Sequence, residues 1–199
     1  MTTAINTVYA IILAAGASSR LGSPKQLLEW RQRPLLAHAI ANAQLVLSDR
    51  IIVVLGAHAD EISGAIDLEP VTTVHNPQWA DGLSASIRAG INALPTDATA
   101  VLLMLCDQPL VTAEHLRHLL AAWQTAPQRI AVSEYAAAFG VPAIFPNVFF
   151  AQLAAMQGDK GAKSLLIRQE DSLVKVPLAE AELDIDTHQD FQRLQALLH

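Results

Sequence analysis

Residues 11–25 read Ile-Ile-Leu-Ala-Ala-Gly-Ala-Ser-Ser-Arg-Leu-Gly-Ser-Pro-Lys, and they hold the side-chain types that bind phosphate. An apolar run from Val8 to Leu13 stops at a turn containing Gly16. The turn carries hydroxyls at Ser18 and Ser19, then cations at Arg20 and Lys25. Glycine lets the backbone come close to a ligand, because no Cβ stands in the way. Exposed amides and fixed positive charge after a strand suit an anion. Arg20 can fork two phosphate oxygens, while Lys25 can follow developing negative charge as a point cation. Spacing excludes two commoner loops. A Walker loop needs Gly-Lys-Ser/Thr, and here Gly22 is followed by Ser-Pro-Lys. The dinucleotide fingerprint needs a second glycine two residues on, and Gly16 has none.

Three further clusters carry polar chemistry. The apolar run Val101–Leu105 ends in Cys106-Asp107-Gln108-Pro109, which puts Asp107 at the carboxyl end of a strand. A carboxylate there can hold a divalent cation, since magnesium takes one or two carboxylates plus phosphate oxygens and water. Capping the next helix is the competing use of such an aspartate. Thr112 is placed for that task, with Glu114 and His115 in the first turn. Asp184-Ile185-Asp186-Thr187 sets two carboxylates two residues apart. In an extended segment both would share a face and could aim at one site. Equally, Asp186 or Thr187 could cap the last helix. The third cluster runs from His75 to Ser86, turning at Asn76-Pro77 and entering a helix near Gly82 or Ser84. Asn76 and the free amides of that helix start could read a base or a ribose. An Asx-type turn with a helix cap is the plainer use.

Other polar features need only bland explanations. Gly158-Asp159-Lys160-Gly161-Ala162-Lys163 reads as a polar turn between helical stretches. His115 and His118 fall three apart on a solvated helix face. Cys106 packs as a small apolar residue.

The elements that must position these residues alternate. Expected strands are Val8–Leu13, Ile51–Leu55, Val71–Val74, Ala100–Leu105, Ile130–Ser133, Val141–Phe145 and Leu173–Val176. Helical spacing recurs through Leu35, Leu36, Ala39, Ile40, Ala43 and Leu47, and through Ile87, Ile91 and Leu94. Pro34 suits the first turn of its helix. Helices are also expected over Val148–Met156, Ala162–Gln169 and about Thr187–Leu198. This pattern predicts an α/β fold: a mostly parallel sheet with helices on both faces, in one domain over residues 1–199. Ligands of such sheets bind beyond the carboxyl ends of the strands. The relevant loops therefore begin at Ala14, Gly56, His75 and Cys106.

Composition narrows the function classes. Of 199 residues, 52% are hydrophobic and 16% charged, which argues against disorder. The net charge is −6 and no basic run appears, so nucleic acid and anionic membrane are poor partners. A nucleotide is compatible if cations gather at one loop. One cysteine, Cys106, excludes an internal disulfide and a cysteine-rich zinc site. The N-terminus lacks a basic signal-peptide region, and the run Tyr9–Ala17 is too short to span a bilayer. A cytoplasmic location is the expectation.

The segment Leu13–Lys25 resembles the nucleotidyltransferase signature Leu-Ala-Ala-Gly-x-Ser-x-Arg-x-Gly-x-x-Lys at every fixed position. With Pro24-Lys25-Gln26-Leu27-Leu28, Asn76-Pro77 through Gly82 and Ser86, Asp107-Gln108-Pro109, Gly140-Val141-Pro142, Gly158–Ala162 and Asp184–Thr187, nearly the whole chain resembles the molybdenum cofactor cytidylyltransferase branch of the MobA-like nucleotidyltransferases. The resemblance implies a Rossmann-like three-layer sandwich of the nucleotide-diphospho-sugar transferase type. It implies transfer of CMP from CTP to the phosphate of molybdopterin or molybdenum cofactor, with release of pyrophosphate and Mg²⁺ as cofactor. Carried over by position, Arg20 and Lys25 neutralise the triphosphate and act as the catalytic cations. Leu13, Ala14, Ala15, Gly16, Asn76, Gly82 and Ser86 bind the nucleotide, and Asp107 and Asp186 hold the metal. Leu-Ala-Ala-Gly resembles the cytidylyl type, so Ala15 favours CTP. Cys106 departs from the glycine and Leu21 from the methionine of many relatives. A molybdenum hydroxylase apoenzyme is a further implied partner. Two alternatives stand beside this reading: another phosphate acceptor, such as a sugar phosphate or methylerythritol phosphate, or a non-catalytic cofactor carrier serving a xanthine dehydrogenase-like enzyme.

Overall fold

The computed structural model describes residues 7–135, 138–159 and 161–197. Lys160 and Leu198, named in the expectations above, lie outside these residues.

The apolar runs form one seven-stranded sheet. It contains β1 (Val8–Ala14), β4 (Ile51–Leu55), β5 (Thr72–His75), β6 (Ala100–Leu105), β7 (Ala131–Tyr135), β8 (Ala138–Pro146) and β9 (Val174–Pro177). A separate two-stranded hairpin pairs β2 (Glu29–Trp30) with β3 (Arg33–Pro34). The order across the large sheet is β5-β4-β1-β6-β8-β7-β9. Strand β1 sits centrally and pairs in parallel with β4 and β6. Only β8 runs against the others, antiparallel to both β6 and β7. The sheet is therefore mostly parallel, as the alternation of runs predicts.

Helices cover both faces, which is why the central strands are apolar throughout: all five residues of β4 are buried. Successive β1 side chains alternate between two cores. Val8, Ala10, Ile12 and Ala14 pack with α1 (Leu35–Leu47), α2 (Ala59–Ala65) and α4 (Ala113–Gln124). Ile11 and Leu13 pack with α3 (Leu83–Asn92), α5 (Phe150–Ala154) and α6 (Lys163–Arg168). A third, small cluster joins Leu194 of α7 (His188–Ala196) to Trp30, Leu35 and Ile185. It anchors the C-terminal segment to the β2–β3 hairpin.

The structure differs from expectation in detail. Helix α2 and the β2–β3 hairpin were not foreseen. Pro34 stands at the N-cap of α1, one residue before the first turn, because it still pairs with Glu29 as the end of β3. The stretch Val148–Met156 is a 3₁₀ turn, Asn147–Phe149, followed by the short α5.

Candidate active site at the carboxyl ends of the central strands

Strands β1 and β6 are parallel neighbours, so their carboxyl ends open side by side. There they create a cavity of about 310 Å³. Leu13, Ala14, Ala15, Gly16 and Ala17 from the loop after β1 line one side. Trp79, Gly82, Leu83 and Ser86, from the start of α3 and the turn before it, line another. Lys25, Leu105, Cys106 and Asp107 complete the charged end. Leu13–Gly16, Gly82, Ser86, Lys25 and Asp107 thus meet in one place.

Local sequence explains the shape. Ser18 adopts φ 52° and Gly22 φ 69°, so the loop after β1 bends through the left-handed region twice. The Lys25 amide donates to Ser18 Oγ at 3.0 Å, which folds the far end of the loop back on itself. Gly82 has φ 96°, and a Cβ there would collide with the Asp159 carboxylate. A glycine is required at that helix start on both counts.

The charges are tightly paired. The Lys25 ammonium donates to Asp107 Oδ2 and to Asp186 Oδ1, the latter at 2.9 Å. Burial of this ammonium alone would lower its pKa, but the Asp107 carboxylate beside it wins and raises it. The hydrogen bond from Lys25 holds Asp186 below the usual carboxylate range. Arg20, an exposed side chain, reaches Asp186 Oδ2 at 3.4 Å. Arg20 and Asp186 line a neighbouring cavity of about 500 Å³, together with Asp184, Asp190 and Arg193. Burial, and then the Asp107 charge, push Asp184 up to about 7. Burial likewise pushes the Cys106 thiol up to about 12, so that side chain is a neutral packing element.

The open helix-cap alternatives resolve in favour of the threonines. Thr112 caps α4 in a reciprocal box with His115, and Thr187 caps α7 in one with Asp190. Asp107 and Asp186 are thereby left to Lys25. Ile185, wholly buried, donates its amide to the Asp107 carbonyl at 3.0 Å and ties the C-terminal segment to the end of β6.

Asn76 does not line the cavity. It is 3% exposed, accepts from the Gln78 amide at 3.0 Å in an Asx turn, and donates to Ser86 Oγ at 3.1 Å. It therefore orients Ser86. Sequence reasoning gave no role to Gln26, Trp79 or Asp159, all of which line the cavity. Asp159 had one usable signal, its place after Gly158 in a loop with two glycines. Gln26 and Trp79 had none beyond their motifs.

The site has the donor set a divalent cation needs. Asp107 Oδ1 is buried and has no hydrogen-bond partner among the described residues. The bridging ammonium shows that a single cation can reach Asp107 and Asp186 together. No group of three or more His, Cys, Asp or Glu side chains converges among the described residues. Two carboxylates are enough for a hard cation that takes its other ligands from phosphate and water.

A mostly parallel sheet with a cation-bearing loop beyond β1 and a carboxylate beyond β6 is the arrangement of an α/β protein that takes an anionic ligand at its strand ends. Residues 10–173 match the MobA-like NTP transferase domain, and the chain belongs to that family. Two curated relatives span almost the full length. Nicotine blue oxidoreductase of Paenarthrobacter nicotinovorans is 32% identical over 94% of this chain and 96% of its own. Molybdenum cofactor cytidylyltransferase of Escherichia coli K12 is 29% identical over 94% of this chain and 95% of its own. Among solved structures, Rv0371c of Mycobacterium tuberculosis superposes with a TM-score of 0.84 at 31% identity, over 98% of this chain and 100% of that one. A second Rv0371c structure, in complex with manganese, gives a TM-score of 0.78 at 29% identity over 94% and 97% of the two chains.

Proposed function

We propose that this chain transfers CMP from CTP to the phosphate of a molybdopterin-type acceptor and releases pyrophosphate. The observation that carries the reading is the Lys25 ammonium held between Asp107 and Asp186 at the mouth of the Leu13–Ala17 cavity. The relative named as a molybdenum cofactor cytidylyltransferase supports the acceptor and the nucleotide, and Ala15 supports the choice of cytosine. We read residues 1–199 as one catalytic unit working in the cytoplasm.

The chemistry follows from charge. An acceptor phosphate attacks the α-phosphorus of CTP in line, and the bond to the leaving pyrophosphate breaks. Two anions must be brought together, so positioning and fixed cations dominate catalysis. The acceptor phosphate is already ionised, so no side-chain nucleophile is needed. Leu13–Gly16 and Gly82 hold the base and ribose, with Asn76 setting Ser86 against them. Lys25 stabilises the charge gathering on the phosphates, and Arg20 supports the leaving group from the neighbouring cavity. Asp107 and Asp186 hold Mg²⁺ or Mn²⁺, which when bound neutralises phosphate charge; the manganese complex of Rv0371c supports a divalent ion. A molybdenum hydroxylase apoenzyme then receives the product.

The test is pyrophosphate release with each of the four nucleotides, with and without the pterin cofactor. Release that needs both CTP and the pterin is expected. Release with a different phosphate acceptor would reassign the substrate. Tight pterin binding without any release would make the protein a carrier.

A further inference from the structure

Gln26 is 1% exposed, although the Lys25 ammonium beside it reaches the charged end of the cavity. A carboxamide buried to this degree must find partners for its donors and its acceptor. Gln26 Nε2 donates to the Ala14 carbonyl at 2.7 Å and to the Gly16 carbonyl at 3.1 Å. Its Oε1 accepts from Ser18 Oγ at 3.5 Å, and Ser18 Oγ accepts from the Lys25 amide at 3.0 Å. One side chain therefore joins both ends of the loop that lines the cavity. The intervening carbonyls are held from elsewhere. Ala15 accepts from the Ala57 amide at 3.1 Å, and Ala17 from His58 Nε2 at 3.1 Å.

A trans peptide sets its N–H opposite its carbonyl. Holding the Ala14 and Gly16 carbonyls therefore fixes where the Ala15 and Ala17 N–H groups point. From this geometry we infer that Gln26 is a positioning residue, which sets the loop's backbone donors for a nucleotide before the nucleotide arrives. It acts through the loop, and its amide is spent on two carbonyls and a hydroxyl. Preset donors avoid reorganisation when charge develops. The inference rests on the reading of Leu13–Gly16 as the nucleotide loop.

The residue type matters. Glutamate has the same shape, but ionised it offers only acceptors to two carbonyls that are acceptors themselves. Protonated, it regains one donor. Gln26→Glu should therefore bind nucleotide worst at alkaline pH and recover as the pH falls. Gln26→Met removes the donors with no charge and should show no recovery.

The experiment measures the dissociation constant of Mg²⁺-CTP by calorimetry between pH 6 and 8.5. Each variant's constant is divided by the wild-type value at the same pH, which cancels the titration of CTP itself. A ratio of tenfold or more is expected for Gln26→Met at every pH. For Gln26→Glu the ratio should exceed tenfold at pH 8.5 and shrink at least threefold by pH 6. Leu119→Ala, a core variant at a residue that does not line the cavity, should lower the melting temperature while leaving the constant near wild type. Ratios near one for both Gln26 variants would overturn the inference, as would a pH-independent ratio for Gln26→Glu. If the wild type binds another nucleotide instead, the cytidylyl reading fails, and the same ratios measured with that nucleotide decide the role of Gln26. If the wild type binds no nucleotide, both readings fall.

Discussion

At the scale of single residues, Lys25 does most to define the site, because it touches both carboxylates proposed to hold a metal. Lys25→Ala should keep the fold and lose turnover by about 10²–10³-fold, roughly 3 kcal/mol of transition-state stabilisation. Circular dichroism beside a pyrophosphate-release assay checks this, and near wild-type turnover would refute the role. The same contacts make a less obvious prediction. The ammonium competes with a divalent ion for Asp107 and Asp186, so Lys25→Met should bind Mn²⁺ more tightly than wild type when no nucleotide is present. Asp107→Asn should bind it less, because the amide keeps the size and loses the charge. Electron paramagnetic resonance of free Mn²⁺ reads both. Ala15→Gly should weaken a preference for CTP over GTP, since the lost methyl makes room and loosens the backbone. Asp184 gives a pH signature. Its folded pKa is raised, so ionising it opposes folding: its contribution is fully present below the ordinary carboxylate range and is lost as the pH rises through about 7. With chelator present, the urea midpoint of wild type should therefore fall between pH 5 and 8 relative to that of Asp184→Asn.

At the scale of elements, the helix start at Gly82 is the tightest joint. Gly82→Ala places a side chain at φ 96° and against Asp159, and should cost on the order of 1–3 kcal/mol while disturbing the cavity wall. A lowered melting temperature with a raised KM for the nucleotide is the expected pair of readouts. The central strands β1, β4 and β6 were legible because continuous apolar runs of five to seven residues have few other uses, β5 and β9 because β-branched residues flank their polar ones, and the signature loop because its fixed positions are closely spaced. Helix α2 was not legible. It buries Ile62 alone among seven residues, so it leaves no periodic stripe. The β2–β3 hairpin turns through Arg31 and Gln32, both at positive φ, without the glycine or asparagine that usually marks such a turn. Nor does an apolar run reveal direction, and β8 reads like its parallel neighbours while running against them. In the site, charged residues at strand ends were readable from sequence. Gln26 was not, because its role lies in two backbone carbonyls that carry no sequence signal.

At the scale of the whole molecule, the N-terminal strands supply the cavity and the C-terminal segment completes its charge. Leu194→Ala should empty part of the cluster with Trp30, Leu35 and Ile185, costing about 2–5 kcal/mol. If that cluster holds Asp186 in place, turnover should fall with little change in CTP affinity, which kinetics and calorimetry can separate. The bond from the Ile185 amide to the Asp107 carbonyl has a consequence for how the protein is made. Strands β5, β4, β1 and β6 are all encoded before residue 106, but Asp159 of the cavity lining and the β8, α5 and α6 residues packed on β1 come later, so the domain folds as a unit once most of the chain is made. Asp186 emerges after all of these, with only Thr187, α7 and the residues beyond it still to come. A chain terminated before Asp184 would lack the second carboxylate, and Lys25 would have a single partner. Under the proposed function such a fragment should release no pyrophosphate, so chemical competence would wait for the end of synthesis.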